Sequence, residues 1–183
     1  LLLFGVATSR SRLMQRDVHQ VESVELGAAD SVRVDVSMGA GELKFSGGAN
    51  KLLEGTFDYN EAEGKPRIAY DVTGKQGRLS IRQSDTGVHF GHTHNTWDLR
   101  LNNDVPTELK VELGAGKSDL RLKGLSLEQL EVQIGAGEVI ADLSGDWKKD
   151  LTAEIEGGVG SATIRLPKNV GVRVRAEGAI GSI

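Results

Sequence analysis

One short stretch recurs along this 183-residue chain and decides its fold. It is Leu113-Gly114-Ala115-Gly116, and its later copies are Ile134-Gly135-Ala136-Gly137, Gly157-Gly158-Val159-Gly160 and Gly178-Ala179-Ile180-Gly181. The last glycines of these copies stand at 116, 137, 160 and 181, which gives steps of 21, 23 and 21 residues. A further copy, Met38-Gly39-Ala40-Gly41, lies near the front. A period of this size is typical of a solenoid, in which each repeat buries its apolar face by stacking on its neighbours.

Alternating segments lead into and out of each glycine stretch. Leu109, Val111 and Leu113 precede the first stretch with polar residues between them, and Leu120 and Leu122 follow it. Apolar residues at every second position indicate strands with one buried face. The other repeats show the same alternation. We therefore predict an all-β protein with almost no helix, formed by a single β-solenoid domain with rungs of about 21–23 residues.

The paired glycines are predicted to form the corners of the solenoid. A corner needs backbone angles, or a close backbone approach, that a Cβ atom would prevent. Forcing another residue into such a position would cost about 1–3 kcal/mol. The predicted corner residues are Gly39, Gly41, Gly114, Gly116, Gly135, Gly137, Gly158 and Gly160, and those predicted to point inward beside them are Leu113, Ile134 and Ile155. A phosphate-binding loop is the alternative for Gly-Ala-Gly-Lys, but it would have to open a helix, and an alternating strand follows instead.

The chain divides into an N-terminal segment, residues 1–17, and a solenoid, residues 18–183. The apolar Leu1–Val6 is followed by Arg10, Arg12 and Arg16. This segment is interpreted as the remnant of a signal peptide or membrane anchor, which implies a membrane tether. The alternative is an ordinary apolar strand or helix start that packs on the end of the solenoid.

The 75 residues between Gly41 and Gly116 have room for about three and a half further periods, although they contain no Gly-x-Gly corner. The candidate strands within them are Leu53–Tyr59, Arg67–Val72, Leu79–Gln83 and Trp97–Leu101. At the other end, Gly181-Ser182-Ile183 stands just past a corner. An open last coil would expose unpaired backbone, so we expect this end to be completed by further residues, capped by a loop, or paired with a partner, which can be another copy in a homo-oligomer.

Composition excludes several functions. The 22 basic and 26 acidic residues are well mixed, so that no basic stripe points to nucleic-acid binding. The absence of cysteine from the sequence excludes disulfides and thiolate zinc sites. No cofactor is expected.

A histidine cluster is the one candidate metal site. His89, His92 and His94 lie within six residues, and the last two would share a face in an extended segment. Such spacing can serve zinc, copper or nickel. Asp85 and Asp98 flank the cluster, but no carboxylate lies inside it. The alternative is an exposed polar loop without a metal.

The sequence gives no catalytic constellation. It has no Gly-x-Ser-x-Gly elbow, no His-Glu-x-x-His motif and no cysteine nucleophile. Glu154 and Glu156 would lie together on an outward face, as would Glu131 and Gln133. Such acids are compatible with a glycan-active β-helical enzyme, but a solvated solenoid face accounts for them equally. We predict that the protein is not an enzyme.

Three segments carry a family resemblance: 31–43, 97–106, and 109–122 with its Gly114-Ala115-Gly116. They resemble the bacterial toastrack domains, which include the putative-adhesin domains of unknown function and the C-terminal domain of LiaF-like, cell-wall-active-antibiotic response proteins. The resemblance runs from about Val24 to Ile183. It implies a single β-solenoid that is tethered to the envelope and acts in stress signalling through protein contacts, without known catalytic residues. This chain lacks the cysteine of a lipoprotein signal, and its histidine cluster lies outside the shared segments.

These observations together predict a non-enzymatic, envelope-associated interaction or scaffold module in envelope-stress response or adhesion. Its partner would be a protein or another envelope component, with no role for nucleic acid. Its predicted location is the cell envelope, tethered to the membrane on the extracytoplasmic side, and the cytoplasmic face is the alternative. The alternatives are metal binding through His89, His92 and His94, and glycan-active catalysis.

Overall fold

The computed structural model describes residues 16–61, 65–84, 94–147, 149–168 and 176–182, and this part of the chain contains ten strands and no α-helix. The strands are β1 Asp17–Val24, β2 Ser31–Gly47, β3 Leu53–Asn60, β4 Arg67–Thr73, β5 Gln76–Arg82, β6 Asn95–Leu101, β7 Thr107–Arg121, β8 Leu127–Asp142, β9 Thr152–Arg165 and β10 Ala176–Ser182. The prediction of an all-β solenoid is confirmed.

The long strands β2, β7, β8 and β9 stack in parallel, and each passes through a glycine corner. The corners stand in register, with Gly41 opposite Gly116, Gly116 opposite Gly137, and Gly137 opposite Gly160. In β10, Gly181 continues the row opposite Gly160. Each rung therefore has a first arm before the corner and a second arm after it.

The corner shifts the alternation of buried residues by one position. In β2, Val36 and Met38 are buried before the corner, whereas Leu43 and Phe45 are buried after it. An uninterrupted strand would keep all even-numbered residues on one face. The shift occurs at Gly41, where φ is 143°, in the region that L-residues rarely adopt. As a result, the apolar faces of both arms join one core.

The segment between the first two glycine corners does not wind as further coils, so that the expectation of about three and a half periods is wrong. β5 pairs with the first arm of β2 and β6 with its second arm, so together they form one rung that is split at the corner. β4 is added antiparallel to β5, β3 to β6, and β1 to β3. Without corner glycines the chain reverses instead through turns, such as the one at Gly74, where φ is 62°.

The predicted strands of this segment are close to the observed ones, except that β5 begins at Gln76 rather than Leu79. These strands place large aromatic side chains in the core at one end of the stack. Trp97 and Phe57 are fully buried in edge-to-face contact, with ring centroids 5.4 Å apart. Such a pair stabilises the core beyond the apolar area that it buries.

Burial decreases along the stack toward β9. Leu120 on β7 and Ala141 on β8 are fully buried, whereas their neighbour Ile164 on β9 is only partly buried, and Leu166 is 39% exposed. Hydrophobic stabilisation follows the apolar area removed from water, so that the β9 end contributes less to it than the centre does.

The apolar stretch Leu1–Val6 lies outside the described residues, and the tether and the division at residues 17 and 18 stay predictions. Within the part of the chain that the structure describes, no helix has the length and apolar character needed to cross a bilayer. Pairing of copies through the solenoid ends also stays a prediction.

Candidate interaction surfaces

The corner edge is built from two rows of glycines with almost no space between rungs. A Cβ atom on Gly114 would lie 2.4 Å from the carbonyl oxygen of Gly39, and the same clash recurs at Gly135 and Gly158. In the second row, a Cβ atom on Gly116 would lie closer still to the carbonyl oxygen of Gly41, and Gly137 and Gly160 repeat this arrangement. Between the rows stand Ala40, Ala115, Ala136 and Val159. The side chains of these rows are therefore small and apolar or absent, so this edge carries no reactive group.

Two amide side chains complete the corner at the split rung, none of whose described residues pairs as a strand with residues 39–41. Gln83 Oε1 accepts a hydrogen bond from the amide of Gly39 at 2.8 Å. Asn95 Nδ2 donates to the carbonyl of Ala40 at 2.9 Å, while its Oδ1 accepts from Trp97 Nε1 at 2.8 Å. Our sequence analysis missed both residues. The only signal for these two residues in the sequence was that an amide side chain stands at each end of the segment that takes the place of a Gly-x-Gly corner.

The predicted histidine cluster belongs to the segment that links these amides. His89 and His92 lie outside the described residues, and His94 directly precedes β6, where its backbone carbonyl accepts a hydrogen bond from Asn60 N at 3.0 Å. Elsewhere in the described parts of the chain, no three His, Asp or Glu side chains gather as metal ligands would. Metal binding through the cluster stays a prediction.

An open groove of about 290 Å³ lies on the outer face of the first arm. We call it the arginine groove, and its lining residues are Arg33, Asp35, Val36, Ser37, Arg78, Arg82, Lys110 and Glu112. Arg67 on β4 stands beside it, directly opposite Arg82. The groove is the most basic feature on this face.

The basic groups of the arginine groove differ in how they are neutralised. Lys110 Nζ lies 2.9 Å from Glu131 and 3.1 Å from Glu112, and the hydrogen bonds that it donates to these carboxylates raise the pKa of Lys110. By contrast, Arg33 Nε lies 3.7 Å from Glu108 and 3.9 Å from Asp35, which is beyond hydrogen-bonding distance. Lys110 is thus held by carboxylates, and Arg33 remains able to bind an anion.

The same outer face becomes acidic toward β9. Glu131 on β8 stands opposite Glu154 on β9, and Glu156 is two residues further along that strand. Both Glu154 and Glu156 are exposed. Charge therefore changes sign across this face, from the arginines of β5 to the carboxylates of β9.

The outer face of the second arm is neutralised by ion pairs between neighbouring residues. Lys117 lies 3.0 Å from Glu138, and this carboxylate raises the pKa of the lysine. Arg121 lies 2.9 Å from Asp119, and Arg100 pairs with Glu54. A groove of about 370 Å³ on this face is bordered by the exposed Val21. Lys117, Arg121 and Arg100 therefore already have carboxylate partners.

The chain is similar to known proteins in sequence and in fold. Residues 14–165 match the family described as the N-terminal domain of toast_rack, DUF2154. The chain belongs to the toast_rack family. A crystal structure of a putative cell adhesion protein from Clostridium sporogenes is similar to this toast_rack chain at 36% sequence identity and a TM-score of 0.78, over 85% of this chain and 74% of the other.

Two other solved structures are much more distant from this toast_rack chain. A putative adhesin from Parabacteroides merdae shares 13% identity at a TM-score of 0.29, over 92% of this chain and 96% of the other. A putative adhesin from Bacteroides fragilis shares 12% identity at a TM-score of 0.30, over 92% and 97%. Scores this low say nothing about this chain. None of the curated proteins matches it.

Proposed function

We propose that this toast_rack domain is a non-enzymatic interaction module of the cell envelope that acts in adhesion or in the envelope-stress response. In this role the solenoid is a rigid support, and its outer faces contact a protein or another envelope component. The domain would work on the extracytoplasmic side.

The observation that supports this proposal most is the similarity to the Clostridium sporogenes protein, which is named a putative cell adhesion protein and is similar to this chain at 36% sequence identity. The shape of the outer faces and the residues on them also support the proposal. The two grooves on the outer faces are open and shallow, and the residues lining them include no histidine and no nucleophile–base pair. Broad, charged and rigid faces suit recognition better than catalysis.

Binding to fractionated envelopes tests the proposal. The purified chain, fluorescently labelled, is mixed with cell walls, membranes and cytosol prepared from the bacterium that encodes it. We expect saturable sedimentation with walls or membranes, displaced by unlabelled chain. The Ile134→Asp variant, which is expected to unfold, is the control for fold dependence and should not sediment saturably.

Accessibility in living cells tests the location separately. Protease added outside intact cells or spheroplasts should degrade the chain while a cytosolic marker survives. Saturable binding to no envelope fraction, together with protection from external protease, would contradict the proposal.

A further inference from the structure

Four arginines on the outer face of the first arm stand in two pairs of like charge. Arg33 on β2 lies directly opposite Arg78 on β5, and Arg67 on β4 lies directly opposite Arg82 on β5. Side chains in such positions start only about 5 Å apart, and like charges there destabilise the sheet. The two pairs therefore oppose folding unless something neutralises them.

Within the described residues, carboxylates lie within 4 Å of only one of these four arginines, Arg33. Arg82 Nε donates to the neutral hydroxyl of Ser80 at 3.0 Å, and the carboxylates nearest Arg33 Nε lie at 3.7 and 3.9 Å. Asp71 is the cross-strand neighbour of Arg78. Within the described residues, however, neither Arg67, Arg78 nor Arg82 forms an ion pair within 4 Å. Several other cations on the outer faces have closer carboxylates, as the following pairs show: Lys110 with Glu131, Lys117 with Glu138, and Arg121 with Asp119.

The two pairs lie along one strand. Arg78 and Arg82 are four residues apart on the outer face of β5, which corresponds to about 13 Å in an extended strand. The arginine groove runs along this stretch, with Ser37 opposite Arg82 at one end and Asp35 opposite Ser80 midway between the two arginines. A guanidinium group matches the geometry of a phosphate oxygen pair, so each arginine pair can hold one phosphate. A ligand with phosphates repeated along its length would reach both pairs.

We propose that the arginine groove binds a linear phosphodiester polymer without bases, of the poly(glycerol phosphate) kind, lying along β5. This inference rests on the proposed envelope role and names the chemistry of one partner. A flat anionic membrane on this face would also meet Glu131, Glu154 and Glu156 and be repelled. A thin polymer along β5 avoids these three glutamates and passes Asp35 between the two arginine pairs. A nucleic acid would use aromatic rings for stacking, and the residues that line the groove include none.

Calorimetric titration with soluble poly(glycerol phosphate) at low salt tests the inference. The double variant Arg78→Gln/Arg82→Gln should bind about tenfold more weakly than the wild type, because two charge-assisted contacts are lost. Its affinity should also depend less on salt. The matched control is Arg100→Gln/Arg121→Gln, which removes the same charge from the second arm, where both arginines have carboxylate partners. The control should bind as the wild type does.

Several outcomes would overturn the inference. Equal weakening in both double variants would mean that only net charge matters. Equal affinity for an oligodeoxythymidylate, or for vesicles of anionic phospholipid, with the same dependence on Arg78 and Arg82 would identify a nucleic acid or a membrane as the partner instead. A wild-type chain that binds cell walls but not the polymer would leave the proposed function standing and refute this inference alone.

Thermal unfolding gives a second readout that needs no affinity measurement. Without polymer, Arg67→Gln should raise the Tm because it relieves the repulsion with Arg82. With polymer, the wild type should gain in Tm, and the Arg78→Gln/Arg82→Gln variant should gain less. A lower Tm for Arg67→Gln would show that the arginines stabilise the fold themselves, which contradicts the inference.

Discussion

Ser118 places a hydroxyl group in the apolar interior without a hydrogen-bond partner. It is fully buried, and its neighbours across the sheet are Leu43 and Val139. An unpaired buried hydroxyl costs about 1–3 kcal/mol. We expect Ser118→Ala to raise the free energy of unfolding by about 1 kcal/mol, as measured by urea denaturation.

Thr107 supplies the matched control, because it is equally buried but its Oγ1 donates to the carbonyl of Val105 at 2.8 Å. Thr107→Val keeps the shape and loses that bond, so it should lower stability by about 1 kcal/mol. A loss of stability in Ser118→Ala would show that the hydroxyl of Ser118 has a stabilising role.

Asn95 is expected to be the most sensitive polar residue of the split rung. Asn95→Ala leaves both the carbonyl of Ala40 and the buried Nε1 of Trp97 without their partner. We expect a loss of about 2–4 kcal/mol, since two polar groups lose their bonds together. Asn50→Ala, in an exposed turn, should change stability by less than about 0.5 kcal/mol. Equal stabilities of the two variants in denaturant would contradict this role for Asn95.

At the scale of the element, the corner glycines are subject to two constraints, a positive φ and a close approach of backbone atoms. Substitutions at different glycines can separate the effects of the two. Gly74 has φ of 62° and open space around it, Gly114 has a close approach without a positive φ, and Gly116 has both. We expect Gly74→Ala to cost about 1–2 kcal/mol through its backbone angle alone. Gly114→Ala should cost more, because backbone atoms must separate, and Gly116→Ala should prevent folding of the stack. Circular dichroism and thermal melts of the three variants provide the measurement. Similar Tm values for the three variants would mean that neighbouring rungs move apart at little cost in free energy.

The inward face of β8 is tested by one substitution on each side of the strand. Ile134 is buried against the neighbouring rungs, whereas Ile140, on the same strand, faces outward on the second arm and is only partly buried. Ile134→Asp buries an unpaired charge and should cost several kcal/mol, and Ile140→Asp should cost much less. If Ile134→Asp keeps the Tm of the parent, the inward orientation is wrong.

The rungs were predictable from the sequence because both their period and their inward face are local patterns. The glycine stretches and the alternation around Leu113 and Ile134 are repeated with nearly constant spacing, so that one repeat supports the next. The split rung was not predictable, because Gln83 and Asn95 bind a corner that lies 44 and 55 residues earlier in the chain. The arginine pairs were missed for the same reason, since Arg33 and Arg78 become neighbours only when β5 pairs with β2.

For the whole molecule, a stack of rungs that contact only their neighbours should not be equally stable along its length. Burial decreases from β7 to β9, where Leu166 is 39% exposed. We expect backbone amides of β9 to exchange hydrogen faster than those of β7 and β8 in native-state exchange measurements, because local opening needs less apolar surface to be exposed there. Uniform protection across β7, β8 and β9 would show that the stack opens only as one cooperative unit.

The in-register glycine rows also limit how such a protein can change in length. Gly116, Gly137 and Gly160 stand directly over one another, and the alternation of inward and outward residues starts anew at each of them. A single inserted residue in an arm would send carboxylates inward and leucines to the solvent from that point to the next corner. Adding or removing an entire coil leaves every other coil as it was. Duplication of whole coils is therefore the route of growth that the backbone leaves open to this chain.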